Sequence, residues 1–214
     1  MRNSLDNSII DVPLSGASAD DASAIEESKS LLLTVTWLEM LDPSQRIPPA
    51  RATSESGGDI EFMTLRALDP PVSFYRYLYN TVGAKWYWYE RRELTDDALE
   101  DIIRDPLVEI LVPYCRGVPA GYVELDCRCE KEVKIAYFGL IPEFIGKGIG
   151  PSLLDRAIRS AFAGNDRRSK PERLWLHTCT LDHPAALSVY LRAGFSICGR
   201  KEALINKDLL DTPP

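Results

Sequence analysis

Three glycines at alternate positions, Gly146, Gly148 and Gly150, followed at once by Pro151, are the residues whose types and spacing point most directly to chemistry. Glycine lets a backbone turn tightly and come close to a ligand. Proline in the first turn of a helix forfeits no hydrogen bond. A turn of this kind that opens a helix aims unpaired N–H groups outward at the positive end of the helix dipole, so its chemistry is anion capture. A pyrophosphate suits it. Two nucleotide loops fail on spacing. A dinucleotide fingerprint starting at Gly146 requires glycine where Pro151 stands, and the phosphate loop requires a Gly-Lys-Ser or Gly-Lys-Thr that this stretch lacks.

A second motif is LDHPAALSVYLRAGF. Asp182 or His183 is expected to cap a helix, with Pro184 in its first turn and Leu187 and Leu191 facing inward. Gly194 ends it before Phe195 opens a strand. With the other loops set aside, the glycine turn reads as an acyl-CoA loop, and PEFIGKGIGPSLL resembles the coenzyme A pyrophosphate loop of the GNAT superfamily of N-acyltransferases. Ile145 takes the place of a usual Gln or Arg, Gly148 and Gly150 take the last two pattern positions, and Gly146 and Lys147 fill between. The second motif resembles that family's N-x-x-A-x-x-x-Y-x-x-x-G-F, with Ala186, Tyr190, Gly194 and Phe195 in register and His183 where Asn is usual. The resemblance covers about residues 60 to 200.

It implies an α/β (α+β) chain with the GNAT fold: a mixed, mostly antiparallel twisted sheet, splayed between two central parallel strands and flanked by helices. It also implies acetyl-CoA as cosubstrate, held by Phe138, Gly139 and Leu140 and by the turn Ile145, Gly146, Lys147, Gly148, Ile149, Gly150 and Pro151. The N–H of Leu140 would polarise the thioester carbonyl as charge develops. Tyr190 would stand near the CoA sulfur as general acid.

The elements that must position these residues are legible. Ile135 to Ile141 is an apolar run without alternation, as in a strand covered on both faces, and Pro142 stops it. Leu153, Leu154, Ala157, Ile158, Ala161 and Phe162 recur at helical spacing up to Gly164. Leu174 to Thr180 is the next buried strand, expected parallel to the first because a helix crosses between them. Earlier, Leu31 to Leu41 is a strand candidate for the sheet edge, and Ile60 to Leu68 is a second strand. Ser73 is expected to cap a helix to Val82 with Phe74, Tyr77 and Leu78 on one face, and Thr95 one to Arg104. Val108 to Cys115 and Ala120 to Leu125 form a hairpin through Gly117 and Pro119. Residues 42–59 read as a long loop.

Composition bounds the class. The chain has 214 residues, 45% of them hydrophobic, enough for one sizeable core. Residues 1–28 carry few apolar anchors and read as a weakly ordered tail, leaving 29–214 as a single domain with an N-terminal extension. A net charge of -7 and a pI near 5.0 argue against nucleic acid as partner. Arg167, Arg168 and Lys170 read as solvated loop charges. No run suits a membrane span or a secretion signal, so the default location is cytoplasmic. Five cysteines without zinc-like spacing read as reduced thiols, with Cys127 and Cys129 on one strand face, and no metal is called for.

Transfer to nitrogen needs a neutral amine, so a base or a water chain must take its proton. His177 on the splayed strand titrates near neutrality and is read either as that base or as a plainly hydrogen-bonded histidine. Asp182 and His183 are the next choices. The crowded aromatics before the sheet have two readings, core plugging and an acceptor wall, and Trp86, Trp88, Tyr75 and Tyr79 are the candidates for the wall. Glu124 is read as an acceptor-side carboxylate or as a solvent-facing strand residue. The expected function is transfer of acetyl from acetyl-CoA to a primary amine of a small molecule, by a chain compatible with a homodimer. A protein N-acetyltransferase and a non-catalytic CoA-binding sensor or interaction module are the alternatives.

Overall fold

The β-rich apolar runs pair into one sheet, seen in a computed structural model that describes residues 30–49, 61–164 and 168–206. Among these residues the strands are β1 (Ser30–Met40), β2 (Phe62–Ala67), β3 (Val108–Cys115), β4 (Val118–Pro119), β5 (Gly121–Asp126), β6 (Glu132–Leu140), β7 (Arg173–Cys179) and β8 (Ser196–Asn206). The helices are α1 (Val72–Gly83), α2 (Asp96–Ile103), α3 (Ile149–Ala163) and α4 (Ala186–Arg192). Strand order is β2-β3-β5-β6-β7-β1-β8, with β4 paired onto β3. Every pairing is antiparallel except β6 with β7, which α3 joins as a crossover.

The sheet is covered on both faces. Leu153, Leu154, Ala157 and Ile158 of α3 pack on Val123, Leu125, Ile135 and Leu176. On the opposite face Tyr75, Leu78, Tyr79 and Val82 of α1 pack with Leu99 and Ile103 of α2 on Ile110, Val112 and Tyr122. That spacing in α1 is i, i+3, i+4, i+7, the stripe that faces a core. The expected face is therefore turned by one position, and Tyr77 is exposed.

Several local expectations change. β1 does not lie at the sheet edge; it is inserted between β7 and β8, the two strands it pairs with along most of its length. Pro71, not Ser73, is the N-cap of α1, its carbonyl accepting from the N–H groups of Phe74 and Tyr75. Arg168 is not a solvated charge: its guanidinium donates to the carbonyls of Ala161 and Ser160 at 2.6 and 2.7 Å, closing the C-terminal end of α3. Cys127 is buried and Cys129 exposed beyond the end of β5, so they do not share a strand face. Thr95 caps α2 as its sequence indicates, its hydroxyl accepting from the Ala98 N–H. The hairpin after β3 turns through Arg116 and Gly117, both left-handed, as a tight primed turn requires. All five cysteines are free. The tail 1–28 and most of the loop 42–59 lie outside the described residues.

Candidate active site

The parallel pair is short. β6 and β7 are in register only at Glu132 with Arg173, Val133 with Leu174 and Lys134 with Trp175. Past that point β6 stays paired to β5 and β7 stays paired to β1, so the two strands part toward their carboxyl ends. A cavity of about 620 Å³ occupies the opening. Its walls include Phe138, Gly139 and Leu140 from β6, His177 and Cys179 from β7, and Tyr190 from α4.

Backbone direction in β6 follows from one bond. The Ile141 N–H donates to the Ala120 carbonyl on the β5 side at 2.9 Å. Alternation along a strand then turns the Gly139 N–H to that same side and the N–H groups of Phe138 and Leu140 to the opening.

The turn that follows closes one end of the cavity. Gly146 and Gly148 have φ of 83° and 77°, a left-handed conformation that glycine adopts without strain. Gly148 is the N-cap of α3. Among the described residues the N–H groups of Gly146, Lys147, Gly148, Ile149 and Gly150 find no acceptor within the chain. Orphan donors at a helix N-terminus suit a diphosphate, so the residues present fit the expected group. Ile145, Gly146, Gly148, Gly150 and Pro151 line the cavity. The other two residues of the turn do not: the Lys147 ammonium lies over the Phe144 ring, and the Ile149 side chain is fully buried beside Cys115 and Ala120.

The cavity passes through the sheet. Phe138 packs with the α3-side core and against the Tyr190 ring, 5.8 Å between centroids. Tyr137, the preceding residue, packs with the α1-side core, because successive strand residues point to opposite faces. On that second face the wall is Tyr79, Trp86 and Trp88, with Leu33 and Val35 of β1 and Ile205 of β8. Trp88 is held by close fit. A Cβ on Gly83 would sit 2.6 Å from Trp88 Cβ, and one on Gly139 would sit 2.4 Å from Val82 Cγ1.

Two expected site residues stand behind this wall instead of on it. Tyr75 and Glu124 are fully buried, and the Tyr75 hydroxyl donates to Glu124 Oε2 at 2.5 Å. Arg91 Nη2 holds the other carboxylate oxygen at 2.7 Å. Their register put them on the correct face; the packing of α1 sealed them from the cavity.

Electrostatics refine the roles. Burial, with Lys134 nearby, lowers the His177 pKa to about 3, so its imidazole is neutral and a weak proton acceptor. Burial, with the Asp182 charge beside it, raises the Tyr190 pKa, so the phenol keeps its proton. Burial likewise pushes the Cys179 thiol up to about 11, which keeps it out of nucleophilic duty. Neither Asp182 nor His183 caps α4. Asp182 Oδ2 accepts from the Thr178 hydroxyl and the Cys179 N–H, tying the end of β7, and His183 Nδ1 accepts from the Ala185 N–H.

Two residues on the cavity went unnoticed in the sequence. Tyr137 donates through its hydroxyl to Glu90 Oε2 at 2.5 Å, and both residues line the second face. Glu90 ends the run Trp86–Tyr87–Trp88–Tyr89, and a carboxylate closing an aromatic run was the available signal.

A parting parallel pair with unpartnered amides at its mouth among the described residues defines an α/β protein whose sheet opening suits an extended, anion-bearing ligand. The family model of the acetyltransferase (GNAT) family matches residues 74–195, so the chain belongs to that family. Among curated proteins no sequence relative is found. Solved structures share the fold. A functionally unknown conserved protein from Staphylococcus epidermidis aligns with TM-score 0.53 and 18% identity, over 89% of this chain and 69% of that one. GCN5-related N-acetyltransferases from Sphaerobacter thermophilus and Kribbella flavida align with TM-scores of 0.56 and 0.52, each at 14% identity and over 86% of this chain. The chain spans 54% and 62% of those two proteins. No helix among the described residues is long and apolar enough to cross a membrane.

Proposed function

We propose that this chain transfers an acetyl group from acetyl-CoA to the primary amine of a small-molecule acceptor, by direct attack in a ternary complex. The observation that carries this reading is the opening between β6 and β7, with five N–H groups at its mouth that have no partner among the described residues. The turn would take the diphosphate, and the free edge of β6 would take the pantetheine arm. Attack of the neutral amine forms the C–N bond as the C–S bond breaks. The Leu140 N–H would stabilise charge on the carbonyl oxygen, and Tyr190 would supply a proton or hydrogen bond to the departing sulfur. With His177 held neutral by burial, its role is to orient the acceptor, and water relays the amine's proton. The aromatic wall of Tyr79, Trp86 and Trp88 on the second face supports a small acceptor over a protein one.

Calorimetry with acetyl-CoA tests the first half, with saturable binding expected; no heat at millimolar ligand would end the proposal. Thiol release over a panel of amines tests the second half. Release with small amines is expected, and binding without release from any acceptor would point to a non-catalytic CoA-binding module instead.

A further inference from the structure

Glu90 holds one of its oxygens away from every donor among the described residues. Oε2 accepts from the Tyr137 hydroxyl, whereas Oε1 is buried and has no partner within the described residues. Buried carboxylate oxygens are rarely left unmatched, because desolvation without a donor is unfavourable. The nearby cations are turned to other groups, though the buried Arg91 Nε itself has no partner among the described residues. Arg91 is bonded to Glu124, and the Lys134 ammonium rests over the Trp175 ring, reaching Glu90 only through space.

The ring that donates to this carboxylate belongs to an aromatic cluster. Tyr137, its hydrogen-bond donor, lies 5.1 Å from Tyr79 and 5.2 Å from Trp88 between centroids. Aromatic faces attract a desolvated cation. The same cavity is lined by Leu33, Val35 and Ile205, and its other carboxylate, Asp182, is already bonded to the Thr178 hydroxyl and the Cys179 N–H.

We infer that Glu90 Oε1 receives the ammonium of a cationic ligand, which passes its proton to the relaying water before its nitrogen attacks, so that the acceptor class is an amine carried on an alkyl or arylalkyl body, rather than a polyol amine or a peptide. This deepens the acetyl-transfer reading and rests on it for the word acceptor. The cation site itself does not depend on acetyl-CoA. Specificity is then divided: the carboxylate selects charge, and the apolar lining selects the body.

The test titrates the full chain by tryptophan fluorescence with 2-phenylethylamine and hexylamine. Their neutral counterparts 2-phenylethanol and hexanol, and glucosamine as a polyol amine, are titrated in parallel. Saturable quenching by the two amines is expected, with the alcohols and glucosamine at least about tenfold weaker. Glu90→Gln keeps an acceptor for the Tyr137 hydroxyl and removes the charge. It should raise the Kd of both amines about tenfold or more while the acetyl-CoA affinity measured by calorimetry is unchanged, which also shows that the variant is folded. Glu90→Asp should recover part of the loss. Amines and alcohols binding alike, amine binding indifferent to Glu90→Gln, or no quenching by either amine overturns the inference. The two readings separate cleanly. Loss of amine discrimination with acetyl-CoA still bound removes only the cation site, and discrimination without acetyl-CoA binding removes only the transfer reading.

Discussion

Tyr137 and Phe138 are consecutive on β6 and face opposite sides of the sheet, so the Tyr190 side and the Glu90 side of the cavity meet across a single peptide unit. A donor entering from one face and an acceptor from the other would meet at that point, next to the free N–H of Leu140.

Tyr190→Phe removes the hydroxyl and keeps the ring on Phe138 and Phe195. Turnover should fall by about 10²-fold or more, with acetyl-CoA affinity and melting temperature preserved. Steady-state kinetics beside calorimetry reads both, and unchanged kcat would remove the general-acid role.

Gly146 and Gly117 give a matched pair. Both have positive φ, 83° and 86°, and a Cβ at either would touch nothing within 4 Å. Alanine therefore costs each about 1–2 kcal/mol of backbone strain and no clash. Only Gly146→Ala should weaken acetyl-CoA binding, by about fivefold or more as the turn relaxes out of its left-handed form. Equal affinity for the two variants would mean that the turn does not hold the ligand.

Glu124 is predicted to matter for stability and not for acceptor contact. Glu124→Ala leaves the Arg91 guanidinium, 14% exposed in its side chain, without its carboxylate. The loss should be about 3–5 kcal/mol in denaturant unfolding. A variant of unchanged stability that fails to bind amines would return Glu124 to the acceptor site.

His177 has a pKa lowered to about 3 by burial, against an ordinary value of 6.5. Between those values the unfolded chain binds the proton and the folded chain does not, so stability is full above pH 6.5 and is lost as pH falls toward 3. His177→Gln should flatten the acid side of a melting-temperature profile. The rate profile should carry no inflection near pH 6.5 that His177→Gln abolishes; finding one would restore the histidine as a base.

Much of the site was legible because it is local. The glycine turn, the helix after it and the Tyr190 helix each declare themselves within about one or two turns of chain. What was misread depended on distant partners. Tyr75 looked available because aromatic residues serve cores and walls equally well, and only the packing of α1 onto β5 buried it. Arg168 looked solvated because the carbonyls it closes, those of Ser160 and Ala161, belong to a helix end seven and eight positions earlier, which no local pattern marks as its partner.

By itself the sequence determined the strands and helices, the glycine turn and the family, since hydrophobic period, glycine spacing and helix punctuation act over a few residues. The tertiary structure alone decided that β1 enters between β7 and β8, that Glu124 is sealed in and that Glu90 meets Tyr137. Those outcomes follow from register and from pairing across residues far apart in the chain, 47 positions in the case of Tyr137 and Glu90, where no local pattern carries the information.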